Sequence, residues 1–385
     1  MRSSARLATS FLTPPLPMPT VSTDTMTTEQ RILTALRCEQ PDRVPVLLFL
    51  NPYSDAWYVH DPPYADVLKV CEEYEDIIYD WGFPSGFFCT AAELETYTRE
   101  LGNGLTEQVR VTPAGEISTI GKPDWRGWGT VKRWVTTPAD AERLLSVPYV
   151  PPRPDLAVIK ETRARLSPRC VAQVTFMDPI CIAGLIDEQA IAIWTLEERD
   201  LLRQLLDTCQ ERLLDQLRYC LDNGLGPIFY FNGPEYALPP LMSPDDFDEF
   251  VVPYDTELIE LVHSYPDRCV IVHSHGRVND FLERFAAMGT DGLNVLEPPP
   301  IGDTVLADAK RRIGDQVCLI GNIQYDDLAR GSKDHIERLV AEAIEQGASG
   351  GGFILCPCAS PYERPLPPKA SENFIHYLRM ARKHG

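Results

Sequence analysis

"CVIVHSHGRVNDFLERFAAMGTDGLNVL", residues 269–296, holds one complete unit of the fold. It opens on the apolar run "CVIVHS" (269–274), continues through "RVNDFLERFAAMG", which reads as a helix stopped by Gly289, and ends on a second run, "DGLNVL" (291–296). Strand, glycine-terminated helix and strand in succession are the pattern of a parallel sheet with helical crossovers. Further apolar runs of strand length lie on both sides, at "VPVLLFL" (44–50), "DIIYD" (76–80), "CVAQVTFM" (170–177), "PIFYFN" (227–232), "VCLIGN" (317–322) and "GFILC" (352–356), which makes eight.

The segments between them carry helix signals. In "RDLLRQLLDTCQERLLDQLRYCLDNG" leucines recur at three- and four-residue spacing up to Gly224, and Thr195 with Glu198 forms a capping-box pattern ahead of it. Ser243 and Pro244 stand in the order cap then first helical residue, "KDHIERLVAEAIEQG" ends at Gly347, and "TTEQRILTALRCEQPDRVP" opens on a Thr cap. Eight strands alternating with helices predict an α/β fold of the (β/α)8 TIM-barrel type.

Residues 85–168 break the rhythm. "EQVRVTPAGEISTIG" alternates on both sides of a Pro-Ala-Gly turn and predicts a hairpin, "TVKRWV" predicts another strand, and "SVPYVPPRPD" is an extended linker. The region is expected to be a β-containing insertion, or lid, after strand two of a single domain over 27–385. Segment 1–26 is rich in Ser, Thr and Pro, carries Arg2 and Arg6 and has no acid before Asp24. It is expected to be a disordered leader; a transit peptide, or an upstream start with Met26 as the working one, are the other readings.

Of the residues, 44% are hydrophobic and 24% charged, which is enough apolar material for a sizeable core. A formal charge of −20 without any basic run repels phosphate backbones and anionic lipid, so nucleic acid is not an expected partner. No stretch approaches the roughly 20 apolar residues of a membrane span. Eleven cysteines are scattered along a chain without a convincing secretion signal, and reduced thiols in the cytoplasm are the expectation.

In such a barrel, function gathers at the C-terminal strand ends. These carry Asn51, Asp80 with Trp81, Asp178, Asn232 leading to Glu235, His273 and His275, Glu297, Asn322, and Cys356 with Cys358. Residues two apart on a strand share a face, so His273 and His275 can point to one site. With a thiolate from "CPC" they would make a three-ligand zinc site with a fourth position open. Against this stands the plainer reading of each: a strand-end histidine bonded structurally, a buried Cys356 after "GFIL", and capping or solvated acids. Trp57, Tyr58, Trp81, Phe87, Trp125 and Trp128 either cover an apolar or methoxylated substrate or simply pack.

"TEQRILTALRCEQPDRVPV", "FNGPEYALPPLMSPDDFDEFVVPY", "IVHSHGRVNDFLERFAAMGTDGLNVLEPPP", "VCLIGNI" and "GGFILCPCASPYERPLPPKASENF" occur in an order that resembles the uroporphyrinogen decarboxylase superfamily, in particular its zinc-dependent, corrinoid-linked methyltransferases. The resemblance runs from about Thr27 to the C-terminus. It implies a (β/α)8 barrel and methyl transfer between a small O-, N- or S-methylated substrate and the cobalamin of a partner corrinoid protein. It also implies Zn2+ held by His273, His275 and Cys358 or Cys356, where that branch has His-x-Cys and a distant Cys. A histidine in place of the first cysteine makes the site harder and less negative, so ether and amine donors become as plausible as thiols.

Glu235 and Glu297 are the candidates to complete the metal shell or manage the leaving group's proton, with Asp80 as the third acid. Asn232, Asn322, Trp81 and Asp178 are candidate substrate contacts, and a homodimer is a further expected partner state. The decarboxylase's arginine-containing N-terminal stretch and its Gly-His-Gly are absent from this chain, which reads "LLFLNPYSDAWY" and "LCPCAS" there. A decarboxylase acting without cobalamin and a non-catalytic ligand-binding barrel are the alternatives.

Overall fold

The computed structural model describes residues 24–124 and 128–385; Trp125 and most of the leader lie outside them. Strand β1 (Ile77–Gly82) is followed by β2 (Thr96–Gly102), β3 (Leu105–Thr112), β4 (Gly115–Lys122) and β5 (Gly129–Lys132). Then come β6 (Cys170–Met177), β7 (Ile228–Asn232), β8 (Cys269–Ser274), β9 (Gly292–Val295), β10 (Cys318–Ile323) and β11 (Phe353–Pro357). One curled parallel sheet has the order β1-β6-β7-β8-β9-β10-β11, and β2 to β5 form a separate antiparallel meander. Helices fill the crossovers of the parallel sheet, as its connectivity requires. No helix among the described residues is long and apolar enough to cross a membrane.

The alternation of side chains along each strand sorts the parallel sheet into two apolar layers. On β8, Val270 and Val272 pack outward with the helices, while Cys269 and Ile271 face an inner cluster with Val171, Ile228, Cys318, Ile320, Ile354 and Cys356. Ile32, Leu33, Ala35 and Leu36 of the helix Thr28–Leu36 belong to that inner cluster, so this helix plugs the N-terminal end of the sheet. The opposite end is left for polar side chains.

The run 44–50 is not a regular strand. Phe49 has φ 60 and the Leu48 N–H goes to the Glu75 carboxylate at 2.7 Å, which interrupts the ladder. What pairing it has joins both edges of the sheet: Leu47 N donates to Leu355 O at 2.9 Å, and Asp76 N donates to Val46 O at 2.8 Å. A cluster of charges holds this segment in place. Asp76, with no exposed surface, accepts from Arg31 at 2.7 Å, Arg43 at 2.6 Å and the Val46 N–H at 3.0 Å. Asp24 pairs with Arg43 and Arg382, so the end of the predicted leader is fastened to the domain.

Two local expectations need correction. Thr195 caps nothing: it sits inside the preceding helix, Glu188–Glu197, and donates to Ala192 O, while the long helix Arg199–Asp222 starts from Glu198 without a side-chain cap. The earlier helix has its own cap, Asp187, which removes the need for a break at Thr195. In the meander, "TYTRELG" adds β2 to the predicted hairpin, turned by Gly102 and Gly104 at positive φ. The Ser243 cap forms as predicted, in a reciprocal box with Asp246.

Candidate functional site

A cavity of about 580 Å³ lies above the inner apolar cluster. Its walls are the inward positions of successive strands: Asp80 of β1, Gln173 and Thr175 of β6, Tyr230 and Asn232 of β7, His273 of β8, Asn294 of β9, then His275 and Cys358 just past β8 and β11. One period-two rule therefore explains why apolar residues at the strand starts give way to polar ones at the ends.

His273 is half-buried and held from behind. Its Nδ1 lies 2.7 Å from Asn294 Oδ1 and 2.6 Å from Tyr230 Oη, and Tyr230 donates to the same Asn294 oxygen at 2.8 Å. The Asn294 amide is oriented by its other end, which donates to Ile320 O at 3.3 Å and Cys356 Sγ at 3.5 Å. An oxygen that can only accept fixes the proton on Nδ1 and leaves the Nε2 lone pair for a ligand. Burial, and the neighbouring His275, push the His273 pKa down to about 4, which keeps the ring neutral at pH 7.

His275 stands edge-on to His273 with ring centroids 4.7 Å apart. Its Nδ1 lies 3.3 Å from Glu297 Oε1, an interaction that raises the imidazole pKa. Glu297 is fixed in turn by the Gly276 N–H at 2.6 Å; burial pushes its carboxyl up, but the bonds from His275 and Gly276 outweigh this and hold it below the usual range. Glu297 is thus a support for His275. Glu235, on the short helix Pro234–Ala237, feels both His275 and Glu297; burial raises its carboxyl, and Oε2 has no hydrogen-bond partner among the described residues.

The two cysteines separate. Cys358 lines the cavity, whereas Cys356 lies one layer deeper among Ile271, Ile320 and Ile354 and bonds Asn294. Burial pushes both thiols up strongly. Two imidazoles with their Nδ1 atoms committed, and a thiol on the same cavity, are donors of the kind zinc takes. As they stand, no three His, Cys, Asp or Glu side chains among the described residues are close enough together to hold an ion.

Among the remaining candidates, Asp80 and Asn232 line the cavity and Asn322 does not. Trp81, the strand neighbour of Asp80, faces the other way and packs edge-on against Phe83. Asp178 is a buried cap for the Cys181 N–H, pressed so closely on Gly233 that a Cβ there would fall 1.6 Å from its Oδ1. Of the aromatics, Tyr58 lines the cavity, Trp57 packs on Tyr58 and Tyr64, and Phe87 packs on Trp134. Glu75, Gln173, Thr175, Tyr230 and Asn294 were not singled out from the sequence. For four of them the signal was present, a polar residue at an inward position of an apolar run; Glu75 precedes its strand and had none.

A family profile, uroporphyrinogen decarboxylase, matches residues 130–379. The uroporphyrinogen decarboxylase of Synechocystis sp. is 28% identical over 166 residues, 43% of this chain and 44% of that protein. That of Hordeum vulgare is 26% identical over 159 residues, 41% of this chain and 44% of that protein. The matched stretches thus span less than half of these relatives. A solved structure, a methyltransferase from Methanosarcina mazei, superposes with a TM-score of 0.60 at 20% identity, covering 93% of this chain and 98% of that one. With the profile matching well over half of its length, and its strands and helices in the order described, this chain belongs to the uroporphyrinogen decarboxylase family.

Proposed function

We propose that this protein is a zinc-dependent methyltransferase that moves a methyl group between a small methylated substrate and the cobalamin of a partner corrinoid protein. The observation that carries this reading is the cavity wall of His273, His275 and Cys358, with each histidine's Nδ1 already engaged. We assign these three as the zinc ligands and leave Cys356 in the core. Zinc bound there would act as a Lewis acid on the substrate's heteroatom and make it a better leaving group. Glu297, which bonds His275, would orient that ligand, and Glu235, which lies beside them outside the cavity lining and whose carboxyl burial raises, is our candidate to supply a proton to the departing atom. That a solved structure of similar fold is named a methyltransferase agrees with this.

We further read the fold as a (β/α)8 barrel closed by the irregular segment 44–50, with residues 85–168 inserted after it and β1, and the protein as cytoplasmic. Decarboxylation of a porphyrinogen is the competing reading, since the curated relatives carry that name. The cavity speaks against it: no lysine or arginine among the described residues lines it, so the many carboxylates of a porphyrinogen would meet no cation there.

The test is metal content together with methyl transfer. Purified protein is expected to hold about one zinc per chain, lost in His275→Ala and Cys358→Ala and kept in Cys356→Ala. The loaded protein is expected to methylate cob(I)alamin, followed by its absorbance, from at least one member of a panel of O-, N- and S-methyl donors. Wild-type protein that binds no zinc would overturn the reading.

A further inference from the structure

The part of the wall formed by β1 and β6 is chemically unlike the histidine and cysteine side, and it is rich in hydrogen-bond acceptors that lack donors. Asp80 Oδ1 accepts from Gln173 Nε2 at 3.0 Å and from the Thr175 hydroxyl. Both bonds fall on the same oxygen, leaving Oδ2 for a ligand. Gln173 Nε2 also lies 3.2 Å from Thr175 Oγ1, so two acceptors fix the amide's orientation. Its Oε1 is buried without a hydrogen-bond partner among the described residues, on a side chain only 6% exposed. Glu75, 7% exposed, lines the same cavity; its Oε1 takes the Leu48 N–H, its Oε2 has no hydrogen-bond partner among the described residues, and burial raises its carboxyl to about 7.

An orphaned buried acceptor costs free energy unless a ligand satisfies it. Here two such acceptors and an open carboxylate oxygen line one cavity, with no lysine or arginine among the described lining residues. The rings of Phe49, Tyr58 and Tyr230 line it as well, and aromatic side chains tolerate a neighbouring positive charge. A neutral ether would satisfy none of these acceptors, and a carboxylate would add to the repulsion.

We propose that the cavity takes a small organic ammonium ion, its N–H groups directed at Asp80 and Gln173, with Glu75 as a second acidic acceptor on the wall. Resting on the methyl-transfer reading, this makes the substrate an amine, or a methyl donor that carries one. Thr175 and Gln173 act as positioning residues for Asp80.

Three probes of nearly equal size and different charge test it: 4-methoxybenzylamine, 4-methoxybenzyl alcohol and 4-methoxybenzoate, titrated calorimetrically into the full-length protein at pH 7.5. The amine is expected to bind about tenfold or more tightly than the alcohol, with the benzoate weakest. Asp80→Asn keeps the acceptor for Thr175 and Gln173 and removes only the charge, so it is expected to melt as the wild type does and to lose most of the amine's advantage. Equal or tighter benzoate binding, an amine preference that survives in Asp80→Asn, or no amine binding at millimolar concentration each overturns the proposal. The two readings fail separately: amine binding without methylation of cob(I)alamin sinks methyl transfer alone, whereas methylation from neutral or anionic donors but never from amines sinks the ammonium site alone.

Discussion

His273 could not be assigned from its neighbours in sequence, because the groups that fix its proton belong to β7 and β9. The register places Asn232 and Asn294 on either side of it, and Tyr230 and Asn294 close a three-membered network behind the ring. In this structure the structural role of the histidine leaves room for the proposed ligand role: Nδ1 is spent on the protein and Nε2 is not. Tyr230→Phe removes one hydroxyl from that network, and a loss of about 1 kcal/mol in unfolding free energy is expected from urea denaturation. Zinc affinity should fall roughly tenfold in the same variant, as competition with a chromogenic chelator would show, because a less restrained ring is a poorer ligand.

Each strand of the parallel sheet was legible as an apolar run, and most were found within a residue or two of their ends, since burial on both faces demands continuous apolar sequence. The first run was the exception: no local pattern announces that a glutamate 27 residues on takes the Leu48 N–H. The helix Val252–His263 shows a different cost. Its Asp255 is 3% exposed, Asp178 beside it is also buried, and each has one oxygen without a partner among the described residues. Burial lifts Asp255 to about 8. The folded protein therefore retains a proton that the unfolded chain gives up near pH 4, and this contribution to stability is lost as pH rises toward and through 8. Thermal unfolding across pH 6 to 9 should show a shallower decline for Asp255→Asn than for the wild type; parallel curves would refute this account.

At the scale of the molecule, the two edges of the parallel sheet meet across residues 45–47, and the charges around Asp76 hold that junction. Asp76 is completely buried and takes bonds from Arg31, Arg43 and the Val46 N–H, so its removal strips three donors at once, although Arg31 keeps its pair with Asp42. Asp76→Ala should therefore cost about 3 kcal/mol of stability, measured by chemical denaturation, well beyond the loss expected from an exposed pair such as Arg338 and Glu342. The helix plug, the first strand segment and the clamp's Asp24, Arg31 and Arg43 all come from residues 24–50, so truncation past Asp24 should be felt throughout the domain.

Sequence alone determined the order of the parallel strands and their helices, the end of the sheet that opens on the cavity and the residue types gathered there, because periodicity and glycine stops are local consequences of burial and backbone geometry. Tertiary structure decided which residues share the cavity. It turned Trp81 away, spent Asp178 as a cap, sank Cys356 one layer below Cys358, and brought Gln173 and Glu75 to the wall. These outcomes depend on register between strands far apart in the chain and on which buried polar atoms find partners, and neither is encoded in any local stretch.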